Sequence, residues 1–386
     1  MPFDFPASPT NGQIISGPNG IQYRYDGVKW QSYPLPTQMA PINAPVFTGD
    51  AQAVTPAAGD NDTSVATTAF VQAATAPYAG NVGRNLLHNG LFNVQQRGQG
   101  PWTANGYTLD RWWLHGSGDT FSVTALGLID SDRAGLGDEQ ARWCIRNQFT
   151  GSAAAGAFNA VTQPIENLGR TSNKTVTASF WACVASGTLR LGVSVDQYFG
   201  TGGSPSPQVF GVGQAVTLTA TWQRFSLTFA VPSIAGKTRG TNGDESTWLN
   251  FWFSSGANNA TNSGSVGVQS GIAFVYGIQL EIGSTATPLE KPDPRLDLAN
   301  CQRFYQVHNA TLVCLLAGTS YAGSADNFPL PVQMRAPPTV NSTHLSGSGT
   351  YGMGVGANTD ALLIWLSGSP AAGNYESFSI TVSADL

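Results

Sequence analysis

Few residues in this chain could do covalent chemistry, and their placement argues against it. Cleaving a glycosidic bond takes two carboxyl groups facing one another across a cleft. Here Asp26, Asp60, Asp62, Asp130, Asp132 and Asp244 stand in turn-like contexts, where aspartate serves nearby backbone N–H groups. Asp138 and Glu139 are adjacent, and neighbours on a strand point to opposite faces. None of His88, His115, His308 and His344 lies in a Gly-x-Ser-x-Gly context, so all four are expected at the surface or rim. The four cysteines, Cys144, Cys183, Cys301 and Cys314, contain no C-x-x-C pair. They are expected as free, mostly buried thiols rather than zinc ligands. Asp60-Asn61-Asp62 opens like a calcium loop but lacks the rest of that pattern, and a helix cap explains the same residues. The expectation is no catalytic residue, no metal and no cofactor.

Aromatic side chains support a different chemistry, which is binding. Sugars are held by stacking on exposed rings, with amides and carboxylates taking the hydroxyls. Trp102 and Tyr107 lie in a stretch flanked by Gly and Pro, and Tyr198 and Phe199 precede the loop-like GTGGSPSP. Tyr321 and Tyr351 are similar candidates nearer the C-terminus. Trp112 and Trp113 are consecutive, so one should face a core and the other the opposite side. Trp143, Trp181, Trp222 and Trp252 fall within strand patterns and are expected in the core.

The elements that must position these rings are mostly strands. Alternation is clear in TVTASFWACV (175–184), LRLGVSV (189–195), QAVTLTATWQRFSLTFAV (214–231) and GIAFVYGIQLEIG (271–283), and WLNFWFSS (248–255) is a further strand candidate. Strands joined by polar, glycine-rich loops predict a mainly β fold, a sandwich or jelly roll, over residues 84–285. TPLEKPDPR breaks the pattern, and 286–386 are expected to form a smaller β domain opened by a short helix in LDLANCQRFYQ. At the other end, NGQIISGPNGIQYRYDGVKW has hairpin grammar: turn pairs at Asn11-Gly12, Asn19-Gly20 and Asp26-Gly27, with Ile21, Tyr23 and Tyr25 alternating between them. Residues 1–33 are too few to be stable alone. They need partners to bury Tyr23, Tyr25 and Trp30. Residues 34–83 read as a Pro/Ala-rich linker followed by a short helix over about 65–76, capped by Asp62, Thr63 or Ser64. Val65, Ala69 and Phe70 would pack in a bundle of copies.

Composition agrees. Charged residues are 11% of the 386, glycines number 45, and the net charge is −5; an ordinary domain carries roughly 25% charged residues. No run of Lys and Arg suggests nucleic acid, and no apolar stretch suggests membrane insertion. The opening MPFDFPASPT lacks signal-peptide character, and the expected free thiols fit synthesis in a reducing cytoplasm.

Three stretches carry a resemblance. PVFTGDAQAVTPAAGDNDTSVATTAFVQAA (45–74) resembles a segment of tail-fibre proteins of tailed bacteriophages. The NGQ…GPNGIQYRYDGVKW opening is similar to N-terminal attachment segments of phage fibres. NLLHNGLFNVQQRG and YTLDRWW, paired with EIGSTATPLE and LANCQRFYQ, resemble the large β domain of phage structural proteins, and also jelly-roll carbohydrate-binding modules. The resemblance implies a homotrimeric fibre or spike, held to other virion proteins (tail, baseplate, collar or capsid) by its N-terminus and binding a host cell-surface glycan. A collar or head decoration fibre without receptor role, a virion-associated polysaccharide hydrolase, and a free carbohydrate-binding module are the other readings.

Overall fold

The computed structural model describes residues 3–17, 20–33, 53–57, 65–75, 83–313, 326–347, 352–367 and 375–386. The chain divides into two compact units, Met1–Ala76 and Pro77–Leu386. No helix among the described residues is long and apolar enough to cross a membrane.

In the first unit, β1 (Ile14–Ser16), β2 (Gln22–Tyr25) and β3 (Trp30–Tyr33) form an antiparallel meander. Asp26 closes its second turn: one carboxylate oxygen accepts the Val28 and Lys29 amides, each at 2.8 Å. These backbone bonds hold its carboxyl below the usual range. Phe5 stacks on Trp30 at 5.4 Å and meets Tyr23 edge to face at 5.2 Å, while Tyr25 lies 5.5 Å from Trp30. No described residue of 3–33 is fully buried, so this cluster is only half covered. The helix α1 runs Thr68–Thr75, shorter than expected. Its cap is Thr67, whose hydroxyl accepts the Phe70 amide at 3.1 Å; the expected caps at 62–64 lie outside the described residues. Val65, 73% exposed, precedes the helix, Ala69 is exposed, and Phe70 is half-buried.

The second unit begins with β4 (Gly106–Tyr107), β5 (Trp113–Ser117), β6 (Thr120–Gly127), α2 (Asp130–Leu136), β7 (Trp143–Thr150), β8 (Phe158–Glu166), β9 (Thr175–Val184), β10 (Leu189–Tyr198), β11 (Gln214–Leu218), β12 (Gln223–Ala230), β13 (Ser246–Ser255) and β14 (Ser270–Ile282). These strands make two antiparallel sheets, β11-β10-β13-β8-β5-β4 and β12-β9-β14-β7-β6. They pack face to face as a β-sandwich. Phe180 of β9 meets Phe251 of β13 edge to face at 5.1 Å, joining the two sheets through the core. Truncating such a ring costs about 3–5 kcal/mol.

The segment 85–98 explains its own motif. Asn89 donates through Nδ2 to the carbonyls of Val94 and Asp110 and accepts the Val94 amide. Gly90 lies so close to β14 that an added Cβ would stand 2.2 Å from the Ile278 carbonyl, so no larger residue fits there.

Next come α3 (Pro294–Gln302), β15 (Tyr305–Val313), β16 (Asp326–Pro329), β17 (Thr339–Gly347), β18 (Gly352–Ala357), β19 (Ala361–Ser367) and β20 (Tyr375–Ser383). Asp293 caps α3, accepting the Arg295 amide at 2.8 Å, and Pro294 opens it. The strands form two three-stranded sheets, β15-β20-β17 and β16-β19-β18, around their own core of Leu362, Ile364, Ile380 and Val382. Arg111, buried, and Arg97, half-buried, tie this region to the sandwich. Arg111 lies 3.4 Å over the Phe304 ring and donates to the Pro164 carbonyl at 2.6 Å. Arg97 lies 3.6 Å over Tyr305 and pairs with Asp385.

The structure corrects several expectations. Asp130 and Asp132 sit in α2, not in turns, and Asp132 accepts the Ile129 amide as an N-terminal cap. Asp138 follows Gly137, the left-handed cap of α2, and is not on a strand. The polar segment of β17 showed no strand signal, because it is an edge strand with mostly exposed side chains. Trp143, Trp181 and Trp222 are half-buried rather than core. Cys144, Cys183 and Cys301 are free and buried, and Cys314 lies outside the described residues. Burial pushes the two cysteines near α2 far up, Cys183 to about 12; both stay protonated thiols.

Candidate functional site

The six-stranded sheet has two apolar faces. Leu249, Phe251 and Phe253 of β13 enter the main core, so Trp248, Asn250 and Trp252 point the other way. The pairing lines them up with neighbours on the same outer face. Trp113 lies opposite Thr162, Thr162 opposite Asn250, and Asn250 opposite Ser194. Trp248 lies between Pro164 and Asp196.

Rings form a continuous strip across this face. Tyr107 of β4 stacks with Trp113 of β5 at 6.5 Å. Trp113 stacks on His115 at 4.8 Å and 9°, and meets Trp248 of β13 edge to face at 5.5 Å. Trp248 in turn lies 5.1 Å from Tyr198 at the end of β10. All five residues are half-buried, and the Arg97 guanidinium also lies over the Tyr107 ring at 5.3 Å.

Beneath the rings runs a buried polar line. His115 Nε2 lies 2.8 Å from the Thr162 hydroxyl, which donates to Asn250 Oδ1 at 2.6 Å. Asn250 Nδ2 donates to Asp196 Oδ2 at 3.0 Å and to the Ser194 hydroxyl at 3.1 Å. The Gly211 amide fills the other Asp196 oxygen at 2.9 Å. Since the carboxylate can only accept, the Asn250 amide group must face it; Thr162 then donates to Asn250, and His115 carries its proton on Nε2. Burial lowers His115 to about 4 and raises Asp196 to about 6. The imidazole is therefore neutral at neutral pH.

Loops roof the β10–β11 side of the face. Gly192 permits this: an added Cβ would stand 2.0 Å from the Ser263 carbonyl. Val266 from the same loop packs on Trp252 and Ala160 as a satellite apolar cluster. Trp252 thus belongs to this outer cluster, not to the main core. The rings from Tyr107 to Tyr198 remain beside the roof.

Two of the six ring candidates, Tyr107 and Tyr198, come together in the strip. The Tyr107 hydroxyl is committed to the Leu386 carbonyl at 2.7 Å, and burial pushes its phenol up to about 12. Phe199 must be removed from the set. It is 1% exposed, so its ring offers no face to a ligand. Trp102 pairs through its backbone with Val123 of β6 and rests against the main core, away from the strip. Tyr321 and Tyr351 lie outside the described residues. His88 and His115 sit deeper than rim residues, and burial lowers His88 to about 3. Sequence reasoning missed Trp248 and the Thr162–Asn250–Asp196 line. Their signal was the two-sided pattern W-L-N-F-W, apolar on both faces of one strand.

The strip holds one carboxylate among the described residues, Asp196, 2% exposed and with both oxygens occupied. The Thr162 hydroxyl beside His115 is fully buried. Neither geometry presents a nucleophile or an acid–base pair to a ligand.

No protein-family model and no curated protein matches the chain. Among solved structures it is similar to the enzymatically active domain of tailspike protein 4 of bacteriophage CBA120, with 15% identity over 52% of this chain, and a TM-score of 0.31. The match spans 22% of the length of that tailspike domain. A family 11 carbohydrate-binding module from Clostridium thermocellum is similar at 11% identity, over 46% of this chain and 91% of that one, with a TM-score of 0.29. A xylan-binding domain from Paenibacillus barcinonensis is similar at 13% identity, over 48% and 93%, with a TM-score of 0.28.

Proposed function

We propose that this chain is a non-catalytic virion fibre or spike subunit whose sandwich binds host-surface glycan on the outer face of its six-stranded sheet. The observation that carries the binding role is the strip Tyr107–Trp113–Trp248–Tyr198. Half-buried aromatic residues held by a fixed sheet suit stacking on sugar rings, and a rigid strip loses little entropy on binding. The fibre role is supported by the resemblance of residues 11–30 and 45–74 to phage fibre segments. Three weak sites in a homotrimer would act together as one stronger one.

The test is a glycan array probed with the full-length protein and with Trp248→Ala. Binding that the substitution removes supports the reading, and equal binding by both overturns it. A reducing-sugar assay on each bound polysaccharide addresses catalysis, since release of reducing ends would establish a hydrolase instead. Labelling of virions by antibody to this chain, seen by electron microscopy, decides the fibre role.

A further inference from the structure

The strip does not end at Tyr198 and Trp248. Two residues further along β8 and β13, about 7 Å at the usual strand rise, Glu166 lies opposite Ser246. There, at the ends of these two inner strands, opens a bowl of about 470 Å³ lined by Arg170, Arg239 and Arg303 with Glu166 and Glu245. Ser246 links the two regions, accepting the Trp248 indole N–H at 2.9 Å while its own hydroxyl reaches the Asp244 carbonyl.

The charges in the bowl do not cancel. Arg303 grips Glu166 with contacts of 3.0 and 3.1 Å to its two oxygens. Arg239 reaches Glu245 only at 3.6 Å and is 45% exposed. Arg170 is exposed, and among the described residues its guanidinium has no hydrogen-bond or ion-pair partner. Nearby Asp244 spends its carboxylate on the amide and hydroxyl of Thr201. One guanidinium is thus wholly uncompensated and a second loosely held, in a protein of net charge −5. The turn carrying Arg170 is pinned: Asn167, at φ 71°, accepts the Gly169 amide through its side chain at 2.9 Å. Arginine forks of this kind match the two oxygens of a carboxylate or phosphate.

We infer that the glycan bound on the aromatic strip bears an acidic group, a carboxylate or a phosphate, which Arg170 and Arg239 receive in the bowl. This rests on the strip being the glycan site. A sugar ring stacked on Trp248 places the next substituents over the bowl, where the rings give affinity and the arginines select charge.

The experiment uses the full-length protein on an array of uronate-containing, phosphate-containing and neutral oligosaccharides, with Trp248→Ala and the double variant Arg170→Glu/Arg239→Glu. Both arginines are exposed, so thermal unfolding should be unchanged in the double variant. The expected result is binding confined to acidic spots, with a loss of about tenfold or more in each variant and weakening by added salt. The uronate and phosphate arms tell the two anions apart. Binding to neutral spots that Trp248→Ala abolishes and the arginine variant leaves intact would overturn the acidic-ligand inference while keeping the strip. Binding insensitive to Trp248→Ala, or none on any spot, would overturn both.

Discussion

Trp113 and Trp248 meet edge to face at 5.5 Å and 88° although β8 runs between their strands. Strands two apart are separated by about 10 Å, so the rings must lean together over the residues between them. They can do so because β8 presents Thr162 and Pro164 there, both short. The sheet thereby carries a ridge of indole that a planar sugar can cover.

Replacing Trp248 by Ala should lower glycan affinity by about tenfold or more, a loss of roughly 1.5 kcal/mol or greater, in line with stacking plus buried area. The fold should survive, because the ring is outside the main core. Isothermal titration together with thermal unfolding separates the two effects. Trp113→Ala should act similarly, since Trp113 props Trp248.

Asp196 predicts a pH dependence of stability. Burial raises its folded pKa to about 6 from 3.8, so the folded state holds the proton more tightly than the unfolded chain. The contribution is most favourable below about pH 4, is lost as pH rises through about 6, and then levels off; its size is of order 3 kcal/mol. His88 and His115, held by burial near 3 and 4, act in the opposite direction over the same range, so the Asp196 contribution is read as the difference between the wild type and Asp196→Asn in urea unfolding from pH 4.5 to 7.5. The stability of Asp196→Asn should rise more steeply with pH than that of the wild type, whatever the absolute stability, and an unchanged slope would take the effect away from Asp196.

Arg111 is 2% exposed and touches Phe304, Pro164 and Asp385 together. Arg111→Ala should destabilise the protein by about 3–5 kcal/mol, because it leaves a cavity and weakens the balance around buried Asp385. Arg111→Lys should recover only part of this, since ammonium cannot lie flat on Phe304. Denaturant midpoints measure both.

The half-covered cluster of Phe5, Tyr23, Tyr25 and Trp30 predicts association. Light scattering of the full-length protein should give three times its 40.5 kDa mass. A double substitution, Tyr23→Ala with Trp30→Ala, should reduce incorporation of the protein into virions. A stable monomer at micromolar concentration would sink the trimer, and normal incorporation would move attachment elsewhere.

Much of the fold could be read directly from the residues. Val176, Ala178, Phe180 and Ala182 alternate in β9, as do Leu191, Val193 and Val195 in β10, and all face the core. The Asp26-Gly27 turn and the single buried ring of the Trp112–Trp113 pair were legible because they depend on local chemistry and a period of two; a helix was expected within 296–306 but runs from Pro294 to Gln302, opened by the proline read as a break, and Asn19 of the Asn19-Gly20 turn lies outside the described residues. α2 and β17 were not legible, because α2 is one short helix held by packing under Trp222, and β17 is polar on an exposed edge. The strip lay further still from local reading. Tyr107, Trp113, Tyr198 and Trp248 come from four strands, and strand order is set by long-range pairing that no window of sequence contains. Alternation assigns Trp248 and Leu249 to opposite faces but cannot say which face is core when both are apolar. Tyr198 and Phe199 were equal candidates in sequence; only packing left Tyr198 half-buried and closed Phe199 away.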